Sequence, residues 1–227
     1  AKKGADTDER LGPVRVTASG WLKPRTVLAG MIVFFLIATA AGIFLTLRAG
    51  WPVVAIGLAS ILFGILYTAG SYSLAYLGLG EVFTFLFFGL VATAGTYFVQ
   101  TLSFSSEAVW LGILPGSYSV VLIALNNLRD RETDQRANKK TLAVHFGDRF
   151  ARVEILLFLF VPSLVPLFFL PFHGGGWLCA IAAFLAALRV GGPLARLRDP
   201  RMINDLLPHV GIANLFLAVL VSVFLLL

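Results

Sequence analysis

The chain has 227 residues, of which 58% are hydrophobic and 13% charged, with a formal net charge of +6. Soluble domains carry about 25% charged residues and disordered chains are poor in aromatics, whereas this chain has 20 Phe, so both classes are excluded. The single Cys179 has no partner for a disulfide or a CxxC site, and a nucleic-acid-binding role would need a basic face on a soluble fold.

Hydrocarbon offers no partner to an unpaired backbone group, so long uncharged runs read as membrane-spanning helices. In chain order they predict an all-α, multi-pass transmembrane bundle of about seven helices. The expected spans lie near 26–47, 51–69, 81–100, 108–126, 151–171, 177–190 and 209–227. The uncharged run 155–188 is two of these spans, split by the helix breakers Pro171, Gly174, Gly175 and Gly176. The sixth span is the shortest.

Seven spans put the chain start and the second, fourth and sixth loops at one end. Every Lys and Arg except Arg48 falls there, which by the positive-inside rule makes that end cytoplasmic, in a cell (inner) membrane protein. Every Asp and Glu except Glu107 falls there too. Acids contribute little to topology, so their gathering on a basic face points to a polar site at that end.

The richest segment is Asn126-Asn127-Leu128-Arg129-Asp130-Arg131-Glu132-Thr133-Asp134, followed by Lys139-Lys140-Thr141. If the fourth helix continues out of the membrane, Asp130 and Asp134 lie one turn apart on one face. Like charges at that spacing repel, and a divalent cation between them reverses the sign. Mg²⁺ is commonly held by one or two carboxylates plus substrate phosphates. Arg129, Lys139 and Lys140 suit a diphosphate, and Asn126 and Asn127 supply neutral oxygens. The bland alternative is a solvated basic loop with two incidental acids. Two further segments stand beside it. The head 1–25 carries Asp6, Asp8 and Glu9, either a charged tail or part of the same site. The loop from Tyr67 to Glu81 carries Tyr67, Tyr72 and Tyr76 among glycines, either as ligand contacts or as interface anchors.

The string NNLRDRETDQRANKKT, continuing Leu142-Ala143-Val144, resembles the second aspartate-rich motif of the UbiA superfamily of membrane prenyltransferases. It is most similar to the menaquinone branch, the 1,4-dihydroxy-2-naphthoate polyprenyltransferases. Gly78-Leu79-Gly80-Glu81-Val82, Phe87-Phe88-Gly89, Gly95-Thr96-Tyr97, Lys3-Gly4-Ala5-Asp6-Thr7 and Arg10-Leu11-Gly12-Pro13 resemble the same branch. Ser71 and Ser73 stand where that branch often has Pro, and His145 where it usually has Arg.

The resemblance implies one prenyltransferase domain over 1–227, incomplete at its start. Residues 1–25 would be a cytoplasmic remnant of the first aspartate motif, and 126–152 the loop with the second. The spans would be the last seven helices of a nine-helix fold, and the chain a fragment inactive by itself. The implied activity is transfer of a polyprenyl group from polyprenyl diphosphate to 1,4-dihydroxy-2-naphthoate, with loss of CO₂, giving demethylmenaquinone. Mg²⁺ would be the cofactor, held by Asp130, Asp134, Asn126, Asn127 and Asp6. Arg129, Lys139, Lys140, Tyr67 and Tyr72 would face the diphosphate, and Glu81 the acceptor side. A related transferase acting on homogentisate and a non-catalytic quinone- or lipid-binding scaffold remain as alternatives.

Overall fold

A computed structural model describes residues 11–12, 14, 16–68, 73–169 and 175–226. Among them every regular element is helical. The long helices are α1 (Pro24–Ala49), α2 (Trp51–Thr68), α3 (Gly80–Thr101), α4 (Ser106–Arg129), α6 (Leu142–Phe169), α7 (Gly175–Arg196) and α8 (Ile203–Leu226). A one-and-a-half-turn helix, α5 (Arg131–Arg136), lies between α4 and α6. The multi-pass helical bundle expected from the apolar runs is therefore the fold observed.

Among the described residues six helices are long and apolar enough to cross a membrane, and α2 is the shorter exception. At 18 residues it spans about 27 Å, just under a hydrocarbon core of about 30 Å. The sequence pattern expects the sixth span to be the short one, but α7 has 22 residues. Arg189 ends the apolar run without ending the helix, because Arg is a good helix former. Arg152 of α6 then donates to the carbonyls of Leu194 and Leu197, satisfying groups at the end of α7 that its own backbone cannot.

The core lies among α4, α6, α7 and α8, where Tyr118, Leu125, Ile155, Leu159, Leu194 and Val210 are buried together. Helix α1 buries none of its residues and packs on α2. At the end with few charges Arg48 of α1 donates to the carbonyls of Val99 and Gln100, the last turn of α3. The one cation at that end is thus a cap on a neighbouring helix. Trp51, Trp110 and Trp177 stand exposed near the same end and Trp21 near the other, the depths at which amphipathic rings settle at a bilayer interface.

Helices α3 and α4 meet backbone to backbone at Gly89. A Cβ on Gly89 would lie 2.6 Å from the Gly112 carbonyl oxygen and 2.6 Å from Gly116 Cα. The wide π-turn Leu86–Val91 in α3 falls at this point. This crossing fixes where the start of α3, with Glu81, meets the end of α4.

The fourth helix does not run on unbroken through Asp130. Helix α4 ends at Arg129, Asp130 adopts φ −92° and ψ 8°, and α5 begins at the next residue. The Asp134 amide still donates to the Asp130 carbonyl at 2.8 Å, so the four-residue spacing survives the kink. With the kink, Asp130 pairs with Arg129 and Asp134 with Lys139.

Candidate active site

The polar site is assembled where the ends of α3, α4, α5 and α8 meet. Arg129, 5% exposed, closes the end of α4. Its guanidinium grips both oxygens of Asp130 at 2.8 Å and donates at 2.7 Å to Oδ1 of Asn204, in the first turn of α8. Asn204 in turn donates to the Leu11 carbonyl at 2.9 Å. One asparagine thereby ties the second acidic motif to the chain's head.

On the other side of α4, Asn127 donates at 2.7 Å to Oε1 of Glu81, at the start of α3. Its own Oδ1 lies 3.5 Å from the Lys139 ammonium, which is paired with Asp134 at 2.8 Å. Asn126 turns instead into its own helix and donates to the Leu122 carbonyl. Burial pushes the Asp134 carboxyl above the usual carboxylate range, against the nearby Lys139 charge and with Asp130 adding to the rise. A charge that is expensive to bury and only partly compensated is one that a further cation would stabilise.

The loops on either side of α3 and α5 are latched backbone to backbone. The Lys140 amide donates to the Tyr76 carbonyl at 3.0 Å, and Gly78, at φ 76°, lies so close that a Cβ there would sit 2.7 Å from the Lys140 carbonyl. The side chain of Lys140 remains exposed. The Tyr67 hydroxyl, at the end of α2, sits against Gly80 with Thr84 and Glu81 as neighbours.

The structure thus joins Asn127, Arg129, Asp130, Asp134, Lys139 and Glu81 through hydrogen bonds and ion pairs, with Tyr67 against Glu81 and Lys140 at the rim. Asp6 and Tyr72 lie outside the described residues. Two participants carry no sequence signal, and a third, Gly78, enters the sequence reading only within the motif Gly78–Val82. Asn204 sits in an unremarkable polar turn, Gly78 acts through its missing side chain, and Glu154 is half-buried on α6 near enough to Glu81 for their charges to interact. Glu81 itself is 4% exposed, and its Oε2 has no hydrogen-bond partner.

Among the described residues no three His, Cys, Asp or Glu gather into a cluster able to hold a metal alone. The donor set still suits a hard divalent cation. It offers two carboxylates and an amide oxygen, Asp134 and Asn127 sharing Lys139 and Asp130 joined to Asp134 through one backbone hydrogen bond, where phosphate oxygens would complete the shell. Two grooves lie elsewhere, among α1, α2 and α3 toward the end that carries Arg48, and are mainly apolar.

Comparison with known proteins gives a consistent picture. Residues 3–225 match the UbiA prenyltransferase family. The 1,4-dihydroxy-2-naphthoate octaprenyltransferase of Mycobacterium tuberculosis is 35% identical over 222 residues, covering 97% of this chain and 75% of that protein. The Mycobacterium leprae enzyme of the same name is 35% identical over 97% of this chain and 74% of its own length. That of Haemophilus influenzae is 34% identical over 74% of this chain and 56% of its own length. No solved structure matches.

Proposed function

Since the chain belongs to the UbiA prenyltransferase family, we propose that it transfers a polyprenyl group from polyprenyl diphosphate to 1,4-dihydroxy-2-naphthoate with loss of CO₂, giving the hydroquinone form of demethylmenaquinone. The relatives covering nearly the whole chain support this acceptor. The observation that carries the reading is the pair of partly buried acids, Asp130 and Asp134, held four residues apart beside Arg129 and Lys139.

Asp130 and Asp134, with the Asn127 amide oxygen, would hold Mg²⁺; Asp6 and Asn126 are further ligands that the resemblance names. Bound there, the ion would neutralise charge on the diphosphate. Arg129 and Lys139 are fixed in place before substrate arrives, so their positive charge needs no rearrangement as the leaving group gains electrons. Lys140 and the tyrosines Tyr67 and Tyr72 would contact diphosphate from the rim. The allylic carbon–oxygen bond breaks with its electron pair going to diphosphate. The naphthoate ring carbon bearing the carboxylate attacks the allylic cation, and CO₂ departs, returning its electron pair to the ring. The apolar helix walls would hold the isoprenoid and keep water from the cation. Glu81, one oxygen on Asn127 and the other unpaired, would face the acceptor. The site lies on the cytoplasmic face of a cell membrane, the side that the distribution of cations favours.

The test is product formation in membranes from a polyprenyl diphosphate, 1,4-dihydroxy-2-naphthoate and Mg²⁺. It is run on this chain and on a form carrying the family's first aspartate motif ahead of Asp6. Asp130→Ala and Asp134→Asn should each lower turnover by about 10²-fold or more, the loss usual when a preorganised group facing developing charge is removed. Turnover of homogentisate in place of the naphthoate would move the acceptor. Undiminished turnover in both variants would remove the acids from the chemistry.

A further inference from the structure

A second polar site lies on the outside of the bundle, apart from the acids. Arg189 is exposed on α7, seven residues before that helix ends at Arg196. His209 lies six residues into α8. At 1.5 Å per residue both stand about 10 Å inside the charged end of the bundle, the depth of the boundary between headgroups and hydrocarbon. Leu185, Leu188, Ile212 and Phe216 are exposed around and below them, a surface for acyl chains.

A lone arginine at that depth would normally extend its side chain along the helix toward water. This one reaches sideways instead. Its Nη2 lies 3.4 Å from Nε2 of His209, across the seam between α7 and α8. The His209 Nδ1 lies 2.8 Å from the Asp205 carbonyl, which makes Nδ1 the protonated nitrogen and leaves Nε2 as the acceptor. Among the described residues Arg189 has no carboxylate partner. Its remaining donors and its full charge face outward.

The space above it is open. Arg196 is two turns along, on the same face of α7. Between them exposed Gly192 has open space where a Cβ would be, so no side chain rises from that position on the outer face of α7. A fork of N–H donors, a braced orientation, a second arginine on the same face and an apolar wall below together suit one chemistry: a phosphodiester attached to acyl chains.

We propose that the α7–α8 seam binds the phosphate of an anionic membrane phospholipid, with Arg189 as its principal contact, Arg196 as the second and His209 as the brace. Such a lipid would pin the outer face of α7 to α8, whose first turn holds Asn204.

The test is lipid selectivity in reconstituted membranes, measured by spin-labelled phosphatidylglycerol against spin-labelled phosphatidylcholine on the intact chain. The wild type should prefer phosphatidylglycerol, and Arg189→Gln should reduce the preference by about fivefold, the factor one cation near an anionic surface supplies. Arg25→Gln, an exposed arginine at the same end but on α1, should leave it unchanged. Equal association of both lipids with the wild type would overturn the proposal without any variant. So would an unaltered preference in Arg189→Gln. Abolition of the preference by inorganic phosphate at physiological concentration would assign the site to a small anion and overturn the lipid. None of these readouts depends on prenyl transfer.

Discussion

Asn204 shows how much of this site rests on a residue with no chemistry of its own. It accepts from buried Arg129 and donates to the Leu11 carbonyl, so both halves of its amide are used. Asn204→Ala strands a buried guanidinium donor, and the expected cost is about 1–3 kcal/mol, read as a lower unfolding temperature in detergent. Asn204→Asp keeps the acceptor for Arg129 and loses only the donor to Leu11. It should hold most of the stability while raising amide exchange around Val16–Leu22. Equal exchange in Asp and Asn forms would show that the head is fastened elsewhere. Gly78 is the other such residue. At φ 76° and against the Lys140 carbonyl, an alanine is both strained and obstructed. Gly78→Ala should loosen the Lys139–Lys140 loop and weaken diphosphate affinity more than it lowers the melting temperature.

At the scale of elements, the α3–α4 crossing sets the geometry of the charged end. Gly89 packs against Gly112 and Gly116 with no room for a methyl group, whereas Gly95, farther along α3, faces open space. Gly89→Ala is expected to destabilise by about 1–3 kcal/mol through overpacking. Gly95→Ala should be neutral or stabilise by up to about 1 kcal/mol through helix propensity. Thermal unfolding of the two variants in the same detergent checks this. Equal behaviour would mean that α3 and α4 do not meet at these glycines. The kink at Asp130 matters at the same scale. With the helix split there, Arg129 takes one acid and Lys139 the other, so the motif carries its own counter-charges before any ligand arrives.

Across the whole molecule, the charges divide the bundle into two unlike ends. The proposed orientation puts Lys140 inside the cell and the bend at Leu102–Ser103 outside. The single Cys179 is fully buried in α7, so the native chain is already a quiet background for cysteine labelling. Ser103→Cys in intact cells should react with a membrane-impermeant maleimide, and Lys140→Cys only after the membrane is opened. The reverse pattern would invert the topology and move the acids to the outer face.

The sequence by itself determined the class and the helices, and it singled out the acids as candidates. Apolar runs of span length have a single solution in hydrocarbon, and the motif from Asn126 to Thr141 is local enough to read along the chain. It misjudged what local pattern does not control, namely that α7 runs on past Arg189, and it left open whether the fourth helix continues through Asp130. Charge marks the edge of the membrane, but the end of a helix is set by what caps it, here Arg152 reaching over from α6. Only the tertiary structure decided that Glu81 meets Asn127, 46 positions away, and that Asn204 meets Arg129, 75 positions away. Those pairings depend on how α3, α4 and α8 cross. Crossings are fixed by the shapes of packed side chains, and by glycines where there are none, rather than by any pattern along a single helix.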